Sequence, residues 1–568
     1  MTRYILGLNA IYHDPAACLL GTGQILAAAE EERFNRIKHS KFRTLFERLP
    51  IHSIEYCLKE GGITFDDIEA VGFSIDPNIP CQFITQNPWN TFFYGYLQLH
   101  TVKQVPRYLK ETYHWDVTDK WHWVGHHLCH ASSAYFVSPF QEAAVLTIDG
   151  IGERCSTWLG YGNKHSLNEI RQISYPQSIG FLWEVVSEYL GYTKVDAAKI
   201  MGLASYGDPT RYLSQFQQVV NIQEGDFRVE KSLVKGYAIP NQTPFTFFKY
   251  HALEALFGER RRPTQPLEQK HYDLAAALQE LTNKIIINLC HYLKKETRSK
   301  NLVLAGGVAL NCVTNELILQ RSGFAHVFIQ PCAHDAGTAL GAAFYLWNHV
   351  LGKDKNFVLY HPFLGPEFSA EDIKKTMGHA SVSFQQYEKI EPVAAKLLSE
   401  GNILGWFQGR MEFGPRALGH RSILASPLDA KIVQRLNTNI KKREWFRPYA
   451  PAVPIENYKS FFQIDNPMLS HQFMLFVAKV NNQTAIPAVV HINGTSRVQL
   501  VENDANPKFH SLLTEFGKIT GIPVLLNTSF NRSGEPIVCT PQHALAMFLD
   551  TDLDFLVLDN ILVSKRMQ

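Results

Sequence analysis

Leu302 to Ala305 is a short apolar strand that runs directly into Gly306-Gly307. The segment before it, Tyr272 to Lys295, keeps helical apolar spacing without Pro or Gly. A long helix, a strand and paired glycines in succession point to an α/β core. The glycines allow close backbone approach to a ligand, and a helix after them would offer free N–H groups to an anion or nucleotide. An ordinary strand-to-helix turn is the competing reading. Neither GxxxxGK[ST] nor GxGxxG is present.

The same alternation recurs along the chain. Tyr4–Leu8, Ala16–Leu20 and Gln24–Ala29 read as a β-meander, and Ile51–Glu60 as a helix stopped by Gly61-Gly62. Ile68–Ser74 and Ala143–Ile148 read as strands, and Thr338–Val350 as an apolar helix. Lys353–Ser369, rich in Pro, Gly, Phe and charge, reads as a linker or crossover. Beyond it come a helix over Pro392–Ser399, strands over Asn402–Phe407 and Gly521–Leu526, and a helix opened by Thr540-Pro541.

Lys+Arg 55 against Asp+Glu 53 leaves +2, which weighs against a dedicated nucleic-acid or membrane-surface binder. No apolar stretch approaches the roughly 20 residues of a membrane span, and the N-terminal stretch does not read as a signal peptide. Nine cysteines without a CxxC pair suggest a reducing compartment, so a soluble cytoplasmic protein is expected.

Four constellations carry chemistry. If 126–130 is helical, His126 and His130 share a face at i and i+4. On spacing alone, surface or core histidines are the commoner reading. Asp149 ends a strand, however, and Asp335 follows the strand Val327–Gln330; strand ends are where α/β folds place ligands. Two His with two carboxylates suit iron, manganese or zinc. Second is the Gly306-Gly307 turn. Third, His13 lies in a turn between two buried strands, a position for a base, although a histidine bonded to its own loop is more common. Fourth, Gln408 to Arg447 holds nine Lys/Arg against three Asp/Glu; the segment is +6 and the remainder of the chain −4. Gly414, Pro415 and Gly419 fix a tight loop around Arg416, and arginine forks match phosphate. Arg497, after Gly494-Thr495-Ser496, and Asn527-Thr528-Ser529, after a buried strand, could add donors.

Taken together the chain resembles the O-carbamoyltransferase family of nodulation-factor, cephalosporin and tobramycin carbamoyltransferases. The motifs are GLNAIYHDPAACLL, EEERFNRIKH, HHLCHASSAY, LTIDGIGE, KIMGLASYG, LAGGVALN, HDAGTALGAA, GRMEFGPRALGHRSILA, KKREWFRPYAP and LLNTSFN. Ser205, where the family pattern has proline after MGLA, is a small departure. The resemblance implies an α/β protein with an actin/sugar-kinase/heat-shock-ATPase-like domain over 1–355, a linker or crossover over 356–385 and a YrdC-like α/β domain over 386–568. It implies that carbamoyl phosphate and ATP, with Mg²⁺, form a carbamoyl-adenylate that carbamoylates a hydroxyl of a small molecule. It assigns His126, His130, Asp149 and Asp335 to Fe²⁺ or another divalent transition metal, and His13 to the base near the acceptor. Lys38, Gly306, Gly307, Asn311 and Arg416 fall to ATP and the adenylate; Lys441, Arg447, Arg497, Asn527 and Ser529 fall to carbamoyl phosphate. No nucleic-acid or membrane partner is implied, and no oligomeric state is specified.

Two rivals stand beside this reading. A threonylcarbamoyl-type tRNA-modifying enzyme shares both fold halves, but one compact basic cluster in a near-neutral chain favours a small anion over RNA. An inactive nucleotide-binding protein is the other; intact His13, His126, His130, Asp149 and Asp335 weigh against decay. A hydrogenase-maturation carbamoyltransferase would add cysteine-rich zinc fingers and an acylphosphatase domain, and neither is seen.

Overall fold

The computed structural model describes residues 3–10, 13–41, 44, 46–79, 97–230, 251–378 and 382–565. Ile11 and Tyr12, beside His13, and 379–381 in the expected linker lie outside the described residues. The chain divides into two compact units. The first comprises Met1–Ile25, Phe42–Pro50 and Leu58–Val358; the second comprises Leu26–Lys41, Ile51–Cys57 and Leu359–Gln568.

The N-terminal meander forms as expected: β1 (Tyr4–Asn9), β2 (Ala16–Gly21) and β3 (Gln24–Glu30) join β4 (Ile68–Phe73) and β5 (Trp121–Trp123) in the order β3-β2-β1-β4-β5. β1 runs antiparallel to β2 and parallel to β4, and β4 is parallel to β5. A second sheet repeats this plan. β6 (Glu142–Ile148), β7 (Cys155–Asn163) and β8 (Ser166–Ser174) are followed by a separate hairpin of β9 (Val220–Gln223) and β10 (Asp226–Val229). β11 (Asn301–Ala305) and β12 (His326–Ile329) then complete the order β12-β11-β6-β7-β8. β6 is antiparallel to β7 and parallel to β11, and β11 is parallel to β12. This twofold use of one strand order is the duplicated α/β plan expected of the actin/sugar-kinase/heat-shock-ATPase fold.

Small residues set the packing of the first unit. Every residue of the helix Ala336–Phe344 (AGTALGAAF) is buried. A Cβ on Gly341 would fall 1.8 Å from the Cys129 carbonyl of the helix His126–Tyr135, and one on Gly7 would fall 1.9 Å from the Ala339 carbonyl. Backbones at that distance exclude any side chain. The expected helix over Thr338–Val350 starts earlier, at Ala336, and its last turn, Tyr345–Val350, is π-helical. The long helix spans Gln269–Thr297.

The second unit is built on an eight-stranded mixed sheet. Its strands are β13 (Val382–Gln386), β14 (Leu404–Phe407), β15 (Arg421–Ala425), β16 (Ala450–Pro454), β20 (Gln499–Val501), β21 (Leu525–Ser529), β22 (Phe555–Leu558) and β23 (Ile561–Lys565). They lie in the order β13-β23-β22-β14-β15-β21-β16-β20. β17 (Phe462–Gln463), β18 (Ala478–Val480) and β19 (Thr495–Ser496) form a small separate sheet. The central strands are covered on both faces. From β14, Leu404 and Trp406 pack with the helices Glu391–Ser399 and Pro507–Thr520, whereas Phe407 packs with Ala370–Met377 and Pro541–Leu549.

Residues 356–385 hold structure of their own: Ser369 and Asp372 form a capping box on the helix Ala370–Met377, and β13 starts at Val382. The expected strand over Gly521–Leu526 begins later. Gly521, at φ +76°, ends the helix Pro507–Thr520, and β21 starts at Leu525. Asn527, Thr528 and Ser529 are thus strand residues and do not follow the strand. Thr540 caps the helix Pro541–Leu549 as expected. Among the described residues no helix is long and apolar enough to cross a membrane, and the eight described cysteines are buried and not in disulfides.

Candidate active site

Segment 126–135 is helical, so His126 and His130 do share a face, and both are fully buried. Their Nε2 atoms face each other at 3.1 Å. Asp149 Oδ2 lies 3.4 Å from His126 Nε2 and 3.2 Å from His130 Nε2, and Asp335 Oδ1 lies 3.6 Å from each. One ligand atom from each residue falls within 4.8 Å of the others. Two ring nitrogens and two carboxylate oxygens converging at such distances fit a divalent transition metal. Burial opposes charge on His126, but Asp335 and Asp149 outweigh it and hold the imidazole well above its usual range. Asp149, against the same burial, is held well below the carboxylate range by the two imidazoles.

The neighbouring groups explain why these four residues meet. Glu153 accepts the His126 and Asp76 backbone N–H groups at 3.0 and 2.9 Å, anchoring the helix start. Gly306 has φ +92°, and a Cβ there would sit 2.1 Å from the Ile148 carbonyl; Gly307 N–H reaches Asp149 Oδ1 at 3.3 Å. The paired glycines therefore let β11 end against the Asp149 turn. His127 is not a ligand: its ring contacts Thr147 Oγ1 at 2.7 Å and the Cys155 carbonyl at 2.9 Å.

Asn9 ties down the His13 turn by donating to the carbonyls of His13 and Asp14 at 2.8 and 2.9 Å. Asp14 Oδ2 lies 3.9 Å from Nε2 of His334, the residue before Asp335, so this turn borders the ligand cluster. Asn311 caps the helix Cys312–Arg321 through Thr314 N–H and donates to Gln279. Lys38 belongs to the second unit, where it pairs with Glu32 at 3.0 Å.

The basic segment of the second unit sorts into two groups. Arg421 is fully buried, stacks on Phe407 at 3.6 Å and donates to the carbonyls of Gln408, His420, Pro366 and Gly409. Arg410 donates to the Leu26 and Leu364 carbonyls, and Arg435 pairs with Asp554. These three hold the fold. Lys441 is buried; its Nζ lies 2.6 Å from the Ser529 carbonyl, 3.3 Å from Ser529 Oγ, and 2.7 and 2.9 Å from the Asn531 carbonyl and Oδ1. Burial, with Arg443 and Arg447 nearby, pushes its ammonium well below the lysine range. Burial, Arg447 and Arg497 likewise bring Arg443 down to about 10. Lys441, Arg443, Arg447 and Arg497 thus form one mutually repelling cationic neighbourhood. Asn527 donates to the Ala417 carbonyl at 3.3 Å and to Gln499 at 2.8 Å, while Gln499 donates to the Leu418 carbonyl at 2.8 Å, so both hold the loop that carries Arg416.

The motif EEERFNRIKH builds this second unit. Arg33 is buried against Glu30 and Glu32 at 2.8 and 2.7 Å and donates to the Gly414 carbonyl; Glu30 accepts Gly414 N–H at 2.8 Å. Arg36 donates to the carbonyls of Pro536 and Ile537. Glu30, Arg33, Arg36, Glu153 and Asn531 were not singled out for these roles by the sequence, and their motif membership was the only signal. Arg33→Met strands two buried carboxylates and should cost about 3–5 kcal/mol. Calorimetry should show the second unit melting earlier; an unchanged transition would remove this brace.

The first unit thus carries a convergent His2Asp2 cluster on a duplicated α/β fold, and the second a cationic cluster of Lys441, Arg443, Arg447 and Arg497. Residues 4–344 match the Carbamoyltransferase N-terminus and residues 395–565 the Carbamoyltransferase C-terminus, and the chain belongs to the carbamoyltransferase family of enzymes. Uncharacterized protein sll1178 of Synechocystis sp. is 36% identical, the match covering 100% of this chain and 97% of that protein. Nodulation protein NolNO of Sinorhizobium fredii is 35% identical over 98% of this chain and 80% of its own. The 3'-hydroxymethylcephem-O-carbamoyltransferase of Amycolatopsis lactamdurans is 32% identical over 60% of each.

Proposed function

We propose that the protein forms carbamoyl-adenylate from carbamoyl phosphate and ATP in the second unit and transfers the carbamoyl group, in the first, to a hydroxyl of a small molecule. The convergence of His126, His130, Asp149 and Asp335 carries this reading. The cephem hydroxyl named in the 3'-hydroxymethylcephem-O-carbamoyltransferases supports a small-molecule acceptor, sugar-like or antibiotic-like.

Water opens carbamoyl phosphate to carbamate and phosphate. A carbamate oxygen then attacks the α-phosphorus of ATP, and pyrophosphate leaves. Lys441, Arg447 and Arg497 hold the anionic oxygens and offset charge on the departing phosphate, with Ser529 and Asn527 supporting them. Arg416 and Lys38 are assigned to ATP and the adenylate as it forms in the second unit, Gly306, Gly307 and Asn311 to the adenylate as it is used in the first, and Mg²⁺ accompanies ATP. In the second step the acceptor oxygen attacks the carbamoyl carbonyl, AMP leaves, and His13 takes the hydroxyl proton. A divalent transition metal held by His126, His130, Asp149 and Asp335, with Fe²⁺ the expectation, would supply Lewis acidity to the transfer.

His13→Asn separates the steps. Pyrophosphate release should persist while transfer from carbamoyl-adenylate falls about 10²-fold or more. Loss of both activities would contradict the division of labour.

A further inference from the structure

A cationic cluster recognises phosphate without reading what the phosphate carries. Carbamoyl phosphate differs from acetyl phosphate in bearing –NH2 where the other has methyl. Lysine and arginine offer only donors, so telling the two apart needs an acceptor near Lys441, Arg443, Arg447 and Arg497.

His491 has the geometry for that role. Its backbone N–H donates to the Thr495 carbonyl at 2.8 Å, and Gly494 N–H returns to the His491 carbonyl at 2.9 Å, closing a short loop ahead of Arg497. The Thr495 hydroxyl donates to Asn493 Oδ1 at 2.7 Å. At the 3.3 Å contact between Thr495 Oγ1 and His491 Nδ1, the ring nitrogen is therefore the donor. That places the proton on Nδ1 and leaves Nε2 a bare lone pair. Nε2 is enclosed and has no hydrogen-bond partner among the described residues. Burial and then the charge of Arg497 push His491 down to about 4, so the ring is neutral at pH 7 and accepts at Nε2. Asn527 Oδ1 is a second enclosed acceptor without a donor among the described residues, its amide N–H groups being used on Ala417 and Gln499. Enclosed acceptors beside a cationic cluster are expected where a ligand brings its own N–H groups.

We propose that Nε2 of His491 accepts an N–H of the carbamoyl group and so selects carbamoyl phosphate over acyl phosphates, an inference that rests on the second unit being the carbamoyl-phosphate site. A site that hydrogen-bonds a substrate group discriminates strongly against the analogue lacking it.

The test measures carbamoyl-phosphate-dependent pyrophosphate release, with acetyl phosphate and inorganic phosphate as competitive inhibitors. His491→Phe should raise the KM for carbamoyl phosphate about tenfold or more and leave both inhibition constants within about twofold. His491→Gln, which keeps an acceptor, should recover part of the loss. Equal weakening of all three anions, or an unchanged KM, overturns the inference. A wild-type protein that releases no pyrophosphate contradicts the adenylate reading instead; calorimetric titration of the same three anions then still decides the discrimination.

Discussion

Asp149→Asn should abolish metal binding and carbamoyl transfer while leaving pyrophosphate release from ATP and carbamoyl phosphate at its wild-type rate. The substitution nearly preserves shape and keeps an oxygen for the Gly307 N–H, now 3.3 Å from Asp149. What it removes is a negative charge 3.2–3.4 Å from two buried imidazole nitrogens. A cation held by two neutral rings and Asp335 alone loses half its anionic ligands. The expected fall in transfer is about 10³-fold, the range in which a metal's charge stabilisation acts. Elemental analysis of the purified variant should find far less than one transition-metal ion per chain. Equimolar metal with full transfer in Asp149→Asn would remove this cluster from the chemistry.

Arg447→Ala should produce the complementary defect. Its side chain is 34% exposed, and its one described ion pair is with Glu444 at 3.7 Å, so removing it disturbs the fold little. Lys441 makes a poorer probe, because its ammonium is tied to Ser529 and Asn531 and its loss would shift both. Pyrophosphate release should fall about 10²–10³-fold, as when one charge-stabilising donor is deleted from a preorganised site. Supplied carbamoyl-adenylate should still be consumed by acceptor. Release at the wild-type rate would place carbamoyl-phosphate activation elsewhere.

The convergence of His126, His130, Asp149 and Asp335 was legible because its parts follow local rules. An i,i+4 histidine pair needs only a helix, and carboxylates at strand ends need only α/β alternation. The strand plan was legible one element at a time; its duplication was not, since it lies in pairing order and leaves no repeat in residue types. The basic segment misled by its uniformity. Arg421 and Arg410 count toward its charge but are consumed by backbone carbonyls, and the sequence carries no mark separating them from Arg447. The acidic braces were harder still. Arg33 meets the Gly414 carbonyl across 381 residues of chain, a contact that no local spacing announces. Gly306-Gly307 read equally well as a ligand cradle or a packing device, and the close approach to Ile148 supports the packing role.

The central claim is that activation proceeds through an adenylate. Wild-type protein incubated with carbamoyl phosphate and ATP, without acceptor, and then analysed by mass spectrometry tests it most directly. The account predicts pyrophosphate and carbamoyl-adenylate, with AMP appearing only when a hydroxyl acceptor or water consumes the intermediate. ADP with inorganic phosphate, and no adenylated carbamate at any time, would contradict it.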